Sequence, residues 1–181
     1  VLPCSAANVQ RWKYLDAALR PGDVVLIAAD DSALTDDIAA AYRRLARVAL
    51  TKKLDVIAVT PVPKKAFMPD ADAELQACIN SSSQWFNQFS RQQCTEPYVI
   101  KRSDYLRDVK GYVAYMRHLE LFNPRFHVWD IAKVLCGAEA CPSHIGDIRV
   151  YSDTKHLSLP VVQKLLLPDF QRLTARLGIT F

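Results

Sequence analysis

The run Asp153-Thr154-Lys155-His156 carries the residue types of an acid–base relay. A carboxylate three residues before an imidazole in a tight loop can accept the Nδ1 proton, fix the tautomer and leave Nε2 free to take a proton from a hydroxyl. The spacing alone discriminates weakly. With four histidines in the chain, an Asp three places before one of them arises by chance in about one sequence in four. Ser158 is the nearest hydroxyl in sequence, but a serine directly before Leu159-Pro160 and a periodic apolar run reads as a helix N-cap rather than a nucleophile. His118 in a helical pattern and His127 in a strand pattern read as structural, and His144 reads as a loop histidine. Asp153 and His156 are therefore the candidate catalytic residues.

Five cysteines, at 4, 78, 94, 136 and 141, fit no zinc pattern, because no C-x-x-C or H-x-x-x-H pair accompanies them. No metal ligand set and no cofactor is assigned. Disulfides are the better reading. Cys136 and Cys141 bracket the turn-prone segment Gly137 to Ala140, and the Cys141-Pro142 step keeps that segment out of helix. Cys78 and Cys94 flank a Ser- and Gln-rich stretch and form a second candidate pair, whose closure would contribute roughly 3 kcal/mol on chain entropy. Cys4 is then left over, with its partner expected upstream in a longer polypeptide. The alternative is five reduced, mostly buried thiols in a cytosolic protein. Counting free thiols under denaturing conditions separates the two: fewer than five are expected, and five in protein from an oxidising compartment would exclude the bridges.

The elements that must position these residues follow from hydrophobic period. Val9, Trp12, Leu15, Ala18 and Leu19 recur at helical spacing, and Arg20-Pro21-Gly22-Asp23 stops that helix. Val24 to Ala29 is continuously apolar, as in a central parallel strand covered on both faces. Ser32 or Thr35 can cap the next helix, with Ile38, Ala41, Tyr42, Leu45 and Leu50 as its apolar face. Val56 to Thr60 is a second buried strand, stopped by Pro61-Val62-Pro63. Further on, the pattern predicts a helix within Leu75 to Phe89, a helix from Ser103 to Leu121, and a third parallel strand from Phe126 to Trp129. A small ribbon over Ile148 to Tyr151 and a closing helix from Ser158 through Leu177, with Gly178 as its stop, complete the chain. Alternating strands and helices of this size imply an α/β fold, a three-layer α/β/α sandwich with a parallel sheet, whose sites lie beyond the carboxyl ends of the strands. The loops of interest are 28–35, 61–70 and 130–158.

Composition sets the frame. The chain has 181 residues, 50% apolar, and 23 Lys+Arg against 19 Asp+Glu for a net charge of +4, the profile of one globular domain spanning 1–181. The longest apolar run, Val24 to Ala29, is far shorter than the ~20 residues needed to cross a bilayer, so no transmembrane segment is expected in this chain. Basic residues are scattered in pairs such as Lys52/Lys53 and Lys64/Lys65 without a basic stripe, which argues against a nucleic-acid partner. The start at Val1, without Met or a signal-like segment, is read as that of a fragment or processed piece.

The string Ile148 to Ser158, IRVYSDTKHLS, resembles the C-terminal signature of SGNH hydrolase-like domains. With VWDIAKVLC ending at Cys136 and the second cysteine in Ala140-Cys141-Pro142, it resembles the SGNH domain fused to the C-terminus of membrane-bound acyltransferase family 3 proteins. DVVLIAAD at 23–30 and VIAVTPVP at 56–63 match that domain's middle strands in kind, and Cys4 fits its upstream half-cystine. The resemblance covers Cys4 to Leu177 and implies an SGNH/flavodoxin-like sheet, incomplete at the N-terminus. It also implies a Ser-His-Asp site in which Asp153 orients His156 and His156 deprotonates a serine. The family carries that serine in a Gly-Asp-Ser turn after its first strand. No Gly-Asp-Ser occurs here, since Gly22-Asp23 is followed by Val24 and Gly146-Asp147 by Ile148, so the nucleophile is expected before Val1.

The resemblance implies an extracytoplasmic (periplasmic) domain of a bacterial O-acyltransferase. It would move an acetyl-type group onto a cell-surface polysaccharide such as lipopolysaccharide, with the acyl donor delivered by an upstream membrane domain and the polysaccharide as acceptor. Two alternatives stand beside it: a carbohydrate esterase that passes the acyl group to water, and a non-catalytic module that binds a glycan or partner if no upstream serine exists.

Overall fold

The computed structural model describes residues 13–14, 17–28, 34–63, 99–152 and 156–179. They fall into two compact units. One comprises Val1–Ala28, Ala33–Val59 and Gly111–Val128, and the other Ala29–Ser32, Thr60–Lys110 and Trp129–Phe181. Residues 13–14 and 17–18 of the expected first helix are helical; the expected helix within 75–89, the Cys78–Cys94 pair and Cys4 lie outside the described residues.

In the first unit, strand β1 (Val24–Ala28) pairs in parallel with β2 (Asp55–Val59), Val24 opposite Asp55 and Ala28 opposite Val59. The helix between them, α1 (Asp36–Lys52), starts where Thr35 Oγ1 accepts the Ile38 amide at 3.3 Å, with Asp36 and Asp37 in the first turn where the helix dipole favours anions. It ends at Lys53, whose φ of 57° is left-handed and whose amide returns to the Ala49 carbonyl. The third strand, β4 (Phe126–Trp129), completes the sheet order β1-β2-β4. The Val56 amide donates to the Arg125 carbonyl and the Thr60 amide to that of Trp129, an equal advance on both strands that marks a parallel ladder. The fold is α/β with a parallel sheet.

β2 is the buried strand of this sheet, with Val56, Ile57 and Ala58 inaccessible to solvent. β1, expected from its apolar run to be central and covered on both faces, stands at the edge of the described strands with Leu26 53% exposed. An unbroken apolar run specifies a strand in apolar company; which strand sits at the edge is set by connections far along the chain. The apolar face of α1 also differs from its expected residues. Tyr42 and Leu45 are buried as expected, but Ala39, Ala46 and Ala49 join them while Leu50 is 49% exposed.

Those alanines have a purpose in packing. Helix α2 (Arg102–Phe122) follows strand β3 (Ile100–Lys101), beginning in the second unit and ending in the first. Its later turns hydrogen-bond to backbone carbonyls of α1, Tyr115 donating to Ala39 at 2.9 Å. Asn123, just beyond α2, donates to Ala46 at 2.7 Å. Only a small side chain leaves a helical carbonyl open to such approach. Tyr42 packs edge-on against Tyr112 and Phe126, and the Tyr112 hydroxyl donates to that of Tyr42 at 2.7 Å. Burial raises the Tyr42 pKa, with the Tyr112 hydrogen bond acting in the opposite sense. Glu120 ties the end of α2 to β4, accepting the Val128 amide at 2.8 Å and the Arg117 guanidinium at 2.6 Å.

In the second unit, the short helix α3 (Ala132–Leu135) leads to the Cys136–Cys141 disulfide predicted from the sequence. Strand β5 (Ala140–Cys141) pairs antiparallel with β3, Ile100 opposite Cys141, and Arg102 Nη1 reaches the Gly137 carbonyl at 2.8 Å. The bridge thus closes the loop on which the start of α2 rests. Strands β6 (His144–Ile145) and β7 (Ile148–Arg149) form a ribbon around Gly146, whose φ is 58°; of the ribbon expected over Ile148 to Tyr151 only Ile148–Arg149 belongs to it.

The closing helical run comprises α4 (Leu159–Val161), a π-helical segment Val162–Leu166 and α5 (Leu167–Arg176). Its π turn follows from Pro168, which has no amide to return to the Lys164 carbonyl and whose ring crowds it; the Leu167 amide bonds five residues back, to Val162. Among the described residues no helix is long and apolar enough to cross a membrane.

Two stability outcomes are expected. Phe126→Ala removes a fully buried ring that Tyr42 packs against, and should cost about 3–5 kcal/mol in urea unfolding. Replacing Cys136 and Cys141 together by Ala opens a five-residue separation and should cost about 2 kcal/mol, with amide exchange rising first at Ile100, Lys101 and Arg102.

Candidate active site

The segments that leave the carboxyl ends of β2 and β4, Thr60–Pro63 and Trp129–Ile131, belong to the second unit. Neither continues as a regular strand, so their polar backbone groups need partners from elsewhere. Thr60, 1% exposed, accepts the Ile131 amide on its hydroxyl at 3.2 Å. Tyr105, on the first turn of α2, donates its hydroxyl to the Pro61 carbonyl at 2.9 Å. Tyr151 donates to the Pro63 carbonyl. A proline stretch cannot enter a ladder through its own amides, and two tyrosines take up its carbonyls instead.

Tyr151 opens the loop that carries the sequence-predicted residues. It bridges antiparallel to Leu157, and between them the Ser152 amide donates to the His156 carbonyl at 2.9 Å while the Ser152 hydroxyl donates to the same oxygen at 3.2 Å. His156 is on the exposed side of this closure. Asp153, Thr154 and Lys155 lie outside the described residues.

Beyond the loop stands Ser158, 7% exposed. Its amide donates to the Val150 carbonyl at 2.8 Å and its hydroxyl to the Arg149 carbonyl, while the hydroxyl oxygen accepts the Val161 amide at 3.3 Å. It is the N-cap of α4, as the sequence predicts. A hydroxyl so engaged and buried is a joint between ribbon and helix.

The other histidines are placed by different means. His127 Nε2 lies 3.2 Å from Asp55 Oδ1, whose other oxygen accepts from Arg125 Nη1 at 3.2 Å, in the first unit at the amino ends of β2 and β4. His118 stacks on Phe122 one turn along α2, with ring centroids 4.8 Å apart. His144 Nδ1 lies 3.2 Å from the hydroxyl of Ser143, which is 4% exposed. No group of His, Cys, Asp and Glu suited to hold a metal ion occurs among the described residues. Trp129 donates its indole N–H to Asp169 Oδ2 at 2.8 Å and packs on Phe170, fastening the end of β4 to α5.

Sequence reasoning missed Tyr105, Tyr151 and Ser152. Tyr151 and Ser152 sit beside the Asp-x-x-His run, yet the partner of Tyr151 is 88 residues away and no spacing rule reaches it. The only hint in the sequence is Pro61-Val62-Pro63 itself, whose carbonyls must find donors.

Burial pushes the Tyr105 pKa up to about 12, aided by the charge of Asp130 and opposed by the Thr60 hydroxyl and Arg102. Burial, with the neighbouring Tyr105 as a second cause, raises Tyr151 further. Both groups are therefore neutral donors throughout the physiological range. Folded values above the ordinary value near ~10 mean that the unfolded chain releases these protons first as pH rises. Their stabilising contribution is complete below pH ~10 and is lost as pH climbs through the folded values. The unfolding free energy from urea titrations should fall between pH ~10 and ~12, by about 2–3 kcal/mol for Tyr105 alone, and Tyr105→Phe should flatten that fall.

A family model described as SGNH domain (fused to AT3 domains) matches residues 2–170 of the chain. No curated protein and no solved structure matches it.

Proposed function

Because the chain belongs to the family of SGNH domains fused to AT3 domains, we propose that it is the extracytoplasmic part of an O-acyltransferase that places an acetyl-type group on a hydroxyl of a cell-surface polysaccharide. Asp153 and His156 are its acid–base pair, within one SGNH-like domain spanning 1–181. What supports the reading is the family membership together with the bonds next to His156: its carbonyl accepts from Ser152, and Tyr151, bridged to Leu157, donates to Pro63 in the segment leaving β2.

The chemistry is acyl transfer through a seryl ester. A serine hydroxyl attacks the acyl carbonyl, its proton passes to His156 Nε2, and backbone or side-chain donors hold the tetrahedral oxyanion. Collapse expels the donor group, which takes the proton back from His156. In the second half, His156 removes the proton of the acceptor sugar hydroxyl as that oxygen attacks the ester, and the serine leaves reprotonated. Asp153 keeps the imidazole in the reactive tautomer and stabilises its cationic form. No residue of this chain is assigned as the nucleophile or as an oxyanion donor. The acyl donor comes from the membrane domain to which such SGNH domains are fused, and the site faces the periplasm.

In the intact protein, His156→Ala should abolish O-acylation of the polysaccharide, and Asp153→Asn should lower it by about 10²-fold or more, both read by quantifying ester-linked acetate in the purified glycan. Acylation retained in His156→Ala would overturn the reading. Acyl release to water that rivals transfer, measured without a sugar acceptor, would replace it with an esterase.

A further inference from the structure

A general base on a surface loop has a positional problem. Loops are mobile by default, and a base displaced by ~1 Å from its hydroxyl can lose about 10²-fold in rate. The backbone that carries His156 is restrained at three levels. The bridge of Tyr151 to Leu157 closes the loop on both sides. Inside it, the His156 carbonyl accepts two hydrogen bonds from one residue, at 2.9 Å from the Ser152 amide and 3.2 Å from the Ser152 hydroxyl, so both of its lone pairs are used. These bonds tie the His156 backbone to Ser152, but the tied pair can still swing about the Tyr151–Leu157 bridge. The third restraint removes that freedom: the side chain of Tyr151 reaches out of the loop and donates to the Pro63 carbonyl in the segment that follows β2.

We propose that Tyr151 and Ser152 are positioning residues for His156: Ser152 fixes the path of its backbone, and the Tyr151 hydroxyl fixes the whole turn against the Pro61–Pro63 segment. The inference rests on the function proposed above and adds to it the parts of the chain that hold the base in register. Neither residue touches substrate in this scheme, so each acts on the rate of proton transfer and leaves substrate affinity alone. The hydroxyl is the active part in both, which makes the conservative tests sharp. Tyr151→Phe keeps the ring and loses the anchor, Ser152→Ala keeps the amide bond and loses the second one, and Ser152→Thr keeps both.

The test uses the purified intact protein, with its membrane domain, p-nitrophenyl acetate as the acyl donor and de-O-acetylated lipopolysaccharide as the acceptor. Turnover is measured in the parent, His156→Ala, Tyr151→Phe, Ser152→Ala and Ser152→Thr. Tyr151→Phe should lower kcat about 10-fold or more and Ser152→Ala several-fold, with KM unchanged, and Ser152→Thr should recover most of the loss. If His156→Ala is inactive while Tyr151→Phe and Ser152→Ala keep the parent kcat, this proposal alone is wrong. A loss carried by KM, or a Ser152→Thr as impaired as Ser152→Ala, overturns it equally. If His156→Ala retains full turnover, the proposed function fails and this inference with it. Ser152 is exposed, so its variants decide the matter even where Tyr151→Phe does not fold.

Discussion

A backbone carbonyl that leaves a strand or turns through a loop must find a donor, and around the candidate site that donor is a side-chain hydroxyl. Tyr105 serves Pro61, Tyr151 serves Pro63, Ser158 serves Arg149 and Ser152 serves His156. Leaving such a group buried and unpaired would cost about 1–3 kcal/mol each time. Among the described residues no buried side-chain polar atom lacks a partner. Hydroxyls suit the task because they rotate to meet an acceptor and, unlike lysine or arginine, bring no charge into a half-buried place. The raised tyrosine pKa values are the same fact in electrostatic terms: burial disfavours the phenolate, and so preserves the donor.

The first unit meets the same constraint by other means. Its strands pair through their own backbone, and the side-chain bonds there join helix to helix, helix to strand or strand to strand. Tyr115 and Asn123 dock on carbonyls of α1 where alanine leaves room, and Glu120 spends one oxygen on the amide of Val128 and the other on Arg117. Asp55 gathers Arg125 and His127 in the same way. The ion pairs among these are partly exposed, so their value lies in register more than in energy. They fix where β4 runs within the first unit.

Family membership and the hydroxyl-bonded loops bear on the same chemistry. The acyl transfer proposed for this chain asks for a base held to within a fraction of an ångström, and the described neighbours of His156 are bonded accordingly, Ser152 to the His156 carbonyl and Tyr151 to Pro63. The disulfide adds to this from the other side of the second unit. It closes the loop whose Ala140 and Cys141 pair with β3, and its Gly137 carbonyl receives Arg102. The first turn of α2, which carries Tyr105, is thereby held where the Tyr105 hydroxyl meets Pro61.

Much of the fold was legible beforehand, because its signals are local. The strands at 24–28, 55–59 and 126–129, the long helix after residue 101, the 136–141 bridge and the Ser158 cap all follow from period, turn chemistry and a side chain's reach of a few residues. The Asp-x-x-His run and its family resemblance were legible for the same reason. Three things were not: that β1 stands at the edge of the described strands, that Ala39, Ala46 and Ala49 join Tyr42 and Leu45 on the buried face of α1, and that Tyr151 donates to Pro63. Each depends on residues far apart in the chain being brought together, and a hydrogen bond to a carbonyl leaves no mark on the sequence, since every residue has one. The sequence by itself determined the described strands and helices that its local patterns predict, and it named the side chains proposed to exchange protons. The tertiary structure decided which hydroxyl meets which carbonyl, because only packing sets distances between residues that covalent geometry leaves independent.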